Sequence, residues 1–180
     1  MFSFQIRPLI QDPSLRIPVQ ATWDIPEVSD GYAAYRCLTP WQIQGEIFYV
    51  GMDEMGEDVI EFSGTVSTEL RMSCDRCLRQ VDVPLVVDIR QRFVKGDKTD
   101  SRTEDYDFDY LPIENDMIDL EDVIRYDVQL NIPVKVLCRE DCLGLCPICG
   151  KNLNEGLCEC EEDFSDPRWD ALKNLPGLEV

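Results

Sequence analysis

Residues 59–93 have the sequence VIEFSGTVSTELRMSCDRCLRQVDVPLVVDIRQRF, in which two stretches rich in β-branched residues flank a C-x2-C pair. Side chains that alternate between apolar and polar, with many β-branched residues, are typical of β-strands. We therefore predict a hairpin whose turn carries Cys74 and Cys77. Because two strands would fix this turn in space, it is a suitable platform for half of a metal site.

The strand pattern extends over the N-terminal half of the chain, with further alternating segments at residues 15–19 and 41–50. These segments follow one another without intervening helical patterns, which favours an antiparallel sheet or a partly open barrel. A helix is predicted at about residues 117–130, capped by Asn115 or Asp116 and packed on the sheet.

The predicted fold class is therefore α+β, with two parts. Residues 1–135 are predicted to form an antiparallel β-rich domain, as an open barrel or a sheet, that includes the one packed helix. Residues 136–180 are predicted to form a cysteine-rich, zinc-binding segment with a short helix at residues 166–175, where a proline follows the capping aspartate.

Cysteine content determines the metal chemistry open to this chain, which has nine cysteines and no histidine. Every soft metal ligand must therefore be a thiolate. Eight cysteines form pairs at ligand spacing: Cys74 and Cys77, Cys138 and Cys142, Cys146 and Cys149, Cys158 and Cys160. These eight thiols are enough for two structural Zn²⁺ sites with four protein ligands each, which leave no position for a catalytic water. The ninth, Cys37, is predicted to be a small buried hydrophobic residue.

Two groupings of these pairs are compatible with the spacing. The loop 150–157 is short, so joining Cys146/Cys149 to Cys158/Cys160 costs little loop entropy. Pro147 and Gly150 also suit a zinc knuckle, because proline fixes one φ and glycine supplies a positive one. Cys138/Cys142 would then join the hairpin pair Cys74/Cys77, and this is the grouping we favour. Spacing alone also allows Cys138/Cys142 to join Cys146/Cys149.

Three alternatives compete with structural zinc. The spacing Cys142-x3-Cys146-x2-Cys149 matches that of radical-SAM iron–sulfur enzymes, but such a cluster needs a larger barrel than this chain provides. A redox dithiol is disfavoured because neither C-x2-C pair lies between a strand and a helix. The third alternative is that some thiols remain unligated.

Net charge limits the partners that this chain can bind. Its 36 acidic and 17 basic residues give a net charge of −19. Such a surface repels the phosphate backbone of nucleic acids and favours a basic protein partner. The candidate RNA or partner contacts are Arg71, Arg76 and Arg79, around the first thiol pair. Residues 97–113 are acidic with interleaved aromatics, which fits either a solvated loop or edge strand or a docking segment for a basic partner.

The sequence has no apolar run long enough to cross a bilayer and no signal-peptide pattern at its start. Many cysteines without an export signal favour reduced thiols that bind metal over disulfides. These patterns predict a cytoplasmic protein or one in another reducing compartment.

The order of motifs along residues 40–175 resembles the cysteine-rich branch of the YceD family of large ribosomal RNA subunit accumulation proteins. The resemblance rests on the segments Ser73–Leu78, the predicted helix leading into Asn131-Ile132-Pro133, Cys138–Asn154, and Cys158-x-Cys160 followed by Asp166-Pro167-Arg168-Trp169. It implies a bacterial or organellar factor that supports normal levels of large-subunit ribosomal RNA, in ribosome assembly or rRNA processing. It provides no catalytic residue for this chain.

An enzymatic hypothesis remains as an alternative. The carboxylate pairs Asp105/Asp107 and Asp119/Asp122 are candidate Mg²⁺ ligands for an rRNA-processing nuclease. Such pairs arise by chance in acidic stretches, and no Lys, Tyr or Ser constellation accompanies them. We therefore favour a non-enzymatic factor that binds a basic ribosomal protein or an rRNA-processing partner. A metal-dependent nuclease and a thiol redox protein are the alternatives.

Overall fold

The computed structural model describes residues 2–53, 56–95 and 110–160. The strands in these ranges are β1 Ser3–Gln5, β2 Arg16–Trp23, β3 Glu27–Ser29, β4 Ala34–Cys37, β5 Trp41–Met52, β6 Asp58–Ser73, β7 Gln80–Lys95, β8 Tyr110–Ile113 and β9 Met117–Asp119. The helices are α1 Arg7–Gln11 and α2 Glu121–Leu130, with a 3-10 helix at Leu153–Glu155. This confirms a β-rich α+β fold. The predicted helix at 166–175, most of the acidic segment 97–113, and the pair Asp105/Asp107 lie outside the described residues.

The β6–β7 hairpin is the centre of the sheet. Its two strands pair antiparallel from Val59 opposite Val94 to Ser73 opposite Gln80. The two cysteines of the first C-x2-C pair lie in the turn between these strands. Alternate residues of β7 are buried, because successive side chains of a strand point to opposite faces. The hairpin predicted from the sequence is confirmed.

The other strands extend the sheet on both sides of this hairpin. β6 pairs with β5 over most of its length and with β4 near its end, while β2 continues beyond β5 and β3 beyond β4. Among the described strands no pairing closes the sheet into a barrel. β8 lies parallel to β7, which differs from the purely antiparallel prediction. A parallel pair needs a connection of about a dozen residues or more, and residues 96–109 lie between these two strands.

One face of the sheet is covered by α1, α2 and the two-stranded sheet of β1 and β9. Side chains such as Leu9, Ile124 and Val128 pack there against the buried face of β5, β6 and β7 in one continuous core. Within the described part of the chain, no helix is both long and apolar enough to cross a membrane.

The predicted start of α2 was wrong. Asn115 and Asp116 have φ values of +53° and +57° and belong to a turn, and Met117–Asp119 forms β9, which pairs with β1. The helix begins at Glu121, whose backbone N–H donates to the Asp119 carboxylate at 2.9 Å. Strand pairing with the N-terminal residues therefore replaces the first turn of the predicted helix.

Candidate metal centres

The structure brings the eight paired cysteines together in two groups of four. The first tetrad consists of Cys74, Cys77, Cys138 and Cys142, and the second tetrad of Cys146, Cys149, Cys158 and Cys160. Within each tetrad all four Sγ atoms lie within 4.8 Å of one another. This is the grouping that loop entropy favours. It separates Cys142 from Cys146 and Cys149, so the three cysteines with radical-SAM spacing do not form one group.

The sulfur positions fit a tetrahedral metal ion. In the first tetrad the Sγ atoms of Cys74 and Cys142 are 3.9 Å apart, and those of Cys77 and Cys138 are 3.5 Å apart. A zinc–sulfur bond of about 2.3 Å in tetrahedral geometry separates neighbouring sulfurs by about 3.8 Å. Four soft thiolate donors in this arrangement are typical of Zn²⁺ or Fe sites. The residues present therefore fit one such ion in each tetrad.

Both C-x2-C motifs adopt the same turn. The N–H of Leu78 donates to the Cys74 carbonyl at 2.9 Å, and the N–H of Gly150 donates to the Cys146 carbonyl at 2.8 Å. Both residues have positive φ, +59° for Leu78 and +74° for Gly150. Glycine adopts this conformation without steric cost, whereas leucine is strained in it. The first turn accepts this strain within a hairpin that fixes both of its ends.

Hydrogen bonds fix the segment that carries Cys138 and Cys142 to the hairpin turn. Asp75 makes two of them with Val136: its N–H donates to the Val136 carbonyl at 2.9 Å, and its carboxylate accepts from the Val136 N–H. The Arg76 guanidinium donates to the Cys142 carbonyl at 2.8 Å, and the Leu145 N–H donates to the Arg76 carbonyl. The first tetrad therefore rests on a protein scaffold that does not depend on the metal alone.

Gly144 allows the closest approach between this segment and the turn. Its φ is +80°, and a Cβ atom there would lie 3.1 Å from the Arg76 carbonyl oxygen. A side chain would therefore be strained and crowded at this position.

The second tetrad is built from a short local loop. The N–H of Cys146 donates to the Lys151 carbonyl at 2.8 Å, and the N–H of Ile148 points to the Cys146 sulfur at 3.4 Å. Cys146 is buried, whereas Cys149 is exposed and the other two ligands are half-buried. The first tetrad has three buried cysteines, packed with Leu137 and Leu145. The second tetrad is therefore the more open to solvent.

Asn154 links the two tetrads. It lies in the loop of the second tetrad, yet its side-chain NH2 donates to the sulfur of Cys142 in the first tetrad at 3.4 Å. Its side-chain oxygen accepts from the Leu143 N–H at 2.9 Å and from Arg139 at 2.6 Å. Sequence reasoning missed this role, because nothing in the spacing distinguishes Asn154 from the other polar residues of its loop.

Hydrogen bonds favour ionisation of Cys74 and Cys142 in the first tetrad and of Cys146 in the second. Burial would raise the pKa of Cys142, but the Asn154 side chain and the Gly144 N–H outweigh it and lower that pKa. Burial alone would raise the pKa of Cys74, but the N–H groups of Cys77, Cys138 and Arg76 outweigh it and lower the pKa to about 6. The N–H groups of Cys149 and Ile148 likewise lower the pKa of Cys146 to about 6. Thiolates are the metal-binding form, so these three sulfurs are the ones that their surroundings favour as ligands.

A second thiol in each tetrad is held in the protonated form. Burial and hydrogen bonding to Cys77 raise the pKa of Cys138 to about 12. Hydrogen bonding to Cys149, together with burial, raises the pKa of Cys160 to about 12. A metal ion that binds four thiolates must displace these protons, which couples metal affinity to pH.

The three arginines proposed as RNA or partner contacts have different surroundings. Arg71 donates to both carboxylate oxygens of Asp82, at 2.8 and 3.0 Å, and Arg76 holds the Cys142 segment as described above. The Arg79 guanidinium makes no hydrogen bond or ion pair with another described residue. Two of the three candidates therefore already have intramolecular partners.

Two further candidates from the sequence are placed by the structure. Cys37 is half-buried and receives a hydrogen bond from the Trp41 indole N–H at 3.4 Å, so it is less buried than expected. Asp119 accepts from Ser3 and from the backbone of Glu121, and among the described residues it belongs to no group of three or more close metal ligands. Within the described ranges, the cysteine tetrads are the only groups of three or more close metal ligands of this kind.

Comparison with known proteins agrees with the family resemblance. The pattern of the family described as "Large ribosomal RNA subunit accumulation protein YceD" matches residues 62–176. An uncharacterized protein of Mycobacterium tuberculosis is 34% identical over 128 residues, which cover 71% of this chain and 60% of that protein. The chain therefore spans less than two thirds of this relative's length.

Two other relatives come from a different bacterium and from a plant. The uncharacterized protein YlbN of Bacillus subtilis is 24% identical over 93% of this chain and 92% of its own length. A protein of Arabidopsis thaliana described as "Large ribosomal RNA subunit accumulation protein YCED homolog 1, chloroplastic" is 25% identical over 87% of this chain and 53% of its own length. No solved structure matches this chain.

Proposed function

This protein belongs to the YceD family, and from that membership we propose that it supports the accumulation of large-subunit ribosomal RNA as a non-enzymatic assembly factor. The family match over residues 62–176 is the observation that carries this proposal. It covers most of the β6–β7 hairpin, helix α2 and both tetrads. The occurrence of relatives in bacteria and of a chloroplastic homologue fits a bacterial cytoplasmic or organellar location.

The proposed cofactor is one Zn²⁺ ion in each tetrad, with a structural role. The support is the donor set, four thiolates at separations that suit a tetrahedral ion, with no fifth ligand in either group of described residues. When bound, such an ion joins the chain segments that carry its ligands. The first tetrad would then join the β6–β7 turn to the segment after α2, and the second would order the loop that follows.

The proposed partner is a basic protein of the large subunit or an rRNA-processing partner. The net charge of −19 would become about −23 with two zinc ions, because each four-thiolate site contributes about −2. Such a molecule attracts basic ribosomal proteins at long range and repels bare RNA. The internal contacts of Arg71 and Arg76 further reduce the cationic surface that RNA could use.

The function is tested by removing the gene from its bacterium and measuring the ratio of large-subunit to small-subunit rRNA. We expect the ratio to fall on deletion and to return with the unmodified gene. The double variant Cys74→Ser/Cys77→Ser should fail to restore it. Cys37→Ser is the matched control, because it removes one thiol outside both tetrads. An unchanged ratio after deletion would refute the proposed function.

Partner class is tested by affinity purification of the full chain at low salt, where charge attraction is least screened. Basic large-subunit proteins should be recovered, and their yield should fall as salt is added. Recovery of RNA without any basic ribosomal protein would contradict the proposal. Incubation with precursor rRNA and Mg²⁺ should leave the RNA intact, and cleavage would support the nuclease alternative instead.

A further inference from the structure

A groove runs between α2 and the strands β7, β8 and β9, on the same side of the sheet as the helices. Its volume is about 1020 Å³. The lining includes the buried side chains of Phe93, Ile118 and Val123, which belong to the core and give the groove an apolar floor. The groove is separate from both cysteine tetrads, since none of their residues line it.

Helix α2 also contributes exposed apolar side chains to this groove. Tyr126 and Leu130 are each 62% exposed. They are four residues apart in the helix, so they lie on the same side of it. Exposed apolar groups beside an apolar floor are typical of a surface that a partner covers.

The groove is also strongly acidic. Four carboxylates line it, those of Glu114, Asp119, Asp122 and Asp127, against one arginine. That arginine, Arg90, already forms an ion pair with Glu61, its Nε lying 3.6 Å from a carboxylate oxygen of that residue. The groove therefore presents more negative charge than its own residues neutralise.

Three of these carboxylates have no partner among the described residues. Asp122 and Asp127 on α2, and Glu114 after β8, make no side-chain hydrogen bond or ion pair there. Asp127 is also half-buried, and this burial raises the pKa of its carboxyl group. A partly desolvated carboxylate without a cation is unfavourable, and a positive group from a partner would stabilise it.

The chemistry of the groove selects among possible occupants. No three of these carboxylates lie as close together as the sulfurs of a cysteine tetrad, so they do not form a multi-ligand metal site of that kind. RNA carries charge of the same sign as the groove and is repelled. The chain's own segment 97–109 is acidic as well, so charge disfavours it. A basic polypeptide with apolar side chains complements both the carboxylates and the apolar floor of the groove.

We propose that the groove beside α2 binds a basic, partly apolar segment of a protein partner, whose lysine or arginine side chains pair with Asp122 and Asp127. Its apolar side chains pack on Tyr126 and Leu130. This inference rests on the proposed function, since it supplies the surface on which a basic large-subunit protein would bind. It predicts that the affinity for a basic peptide depends on where the carboxylates lie, as well as on the total charge of the chain.

The test measures binding of two synthetic peptides to the full, metal-loaded chain by fluorescence anisotropy. One peptide alternates lysine and arginine with leucine, and the other has serine in place of each leucine. The groove variant is Asp122→Asn/Asp127→Asn. The control variant, Asp24→Asn/Glu27→Gln, makes the same charge change at exposed residues that do not line the groove. A second groove variant, Leu130→Ser, changes the apolar surface without changing charge.

We expect the leucine-containing peptide to lose about tenfold in affinity for Asp122→Asn/Asp127→Asn and less than about twofold for the control. Leu130→Ser should weaken that peptide but not the serine peptide. Equal losses for the groove and control variants would overturn the proposal, and so would equal binding of the two peptides or failure of both to bind. Circular dichroism checks that each variant is folded.

Failure of this inference is distinguishable from failure of the proposed function. If the unmodified chain captures basic large-subunit proteins and restores the rRNA ratio, while the groove variant does both equally well, the groove is not the binding surface and the function stands. If the groove variant fails in both assays and the control succeeds, the inference is supported.

Discussion

The two tetrads share a ligand set and a turn geometry, yet they differ in what they connect. The first joins the turn of the central hairpin to a segment 61 residues away, and most of its sulfurs are buried. The second is contained within residues 146–160, and Cys149 is exposed. With metal bound, the same ligand chemistry would join distant parts of the fold at the first tetrad and order a single loop at the second.

Loop entropy gives this difference an energetic consequence. Closing a longer loop costs more entropy in the unmetallated chain, so a cross-link across it constrains that chain more. Loss of metal from the first tetrad should therefore affect the whole fold, whereas loss from the second should remain local.

The largest expected difference between the tetrads is the loss of folding stability when one ligand is removed from each. Cys77→Ser should lower the free energy of unfolding by at least about 3 kcal/mol, because a structural site contributes its binding energy to folding. Cys149→Ser should lower it by about 1 kcal/mol or less, since the sheet does not depend on that loop. Denaturant unfolding followed by circular dichroism measures both, with Cys37→Ser as the control for loss of a thiol.

Equal losses of stability for Cys77→Ser and Cys149→Ser would show that the two tetrads support the fold to the same extent.

The second prediction concerns the order in which metal is lost to a chelator. The second tetrad should release its ion at least about tenfold faster, because its sulfurs are reached without opening the fold. Native mass spectrometry should detect a species with one metal ion. Alkylation of that species should modify Cys149, Cys158 and Cys160 while Cys74 and Cys77 stay protected. Simultaneous loss of both ions would contradict this order.

The parts of the fold that depend on local pattern were predictable from the sequence. The strand alternation on either side of Cys74 and Cys77 predicted the hairpin, since a two-residue period is visible within one strand. Loop length favoured the observed grouping of cysteines. The start of α2 was missed because Ile118 and Leu120 are apolar in either conformation. Their placement depends on pairing between β1 and β9, which are far apart in sequence.

Side-chain contacts between distant segments could not be predicted from local sequence patterns. The hydrogen bond from Asn154 to the sulfur of Cys142 depends on how two loops are placed, and an asparagine in a polar loop carries no sign of it. The same holds for Arg76, which the sequence suggested as an RNA or partner contact and which bonds to the backbone of the Cys142 segment. Charged and polar residues acquire their roles from tertiary neighbours.

Asn154 provides a smaller effect that connects the two tetrads. Asn154→Ala should weaken metal binding at the first tetrad by about tenfold, because it removes the hydrogen bond to Cys142 and the acceptor for Leu143. Asn154→Asp keeps the acceptor and loses the donor, so it separates the two contributions. Competition with a chromogenic chelator measures the affinity. An unchanged affinity for both variants would show that the tetrads bind metal independently.

The smallest expected difference between the tetrads is in their response to acid. Protons compete with metal for sulfur, so both sites should keep their ions at neutral pH and release them as the pH falls. Each tetrad contains a thiol with a pKa of about 6 and one with a pKa of about 12, and in the first tetrad hydrogen bonds also lower the pKa of Cys142. Backbone N–H groups outweigh the deeper burial of Cys74 and give it the same pKa as Cys146.

We therefore expect the two tetrads to release their ions at midpoints within about one pH unit of each other. The midpoints are measured on the cobalt-substituted protein from thiolate-to-metal absorption. The variants Cys77→Ser and Cys149→Ser assign each transition to its tetrad. A much higher midpoint for the first tetrad would mean that burial, which raises thiol pKa values, and not hydrogen bonding to sulfur, controls its affinity for protons.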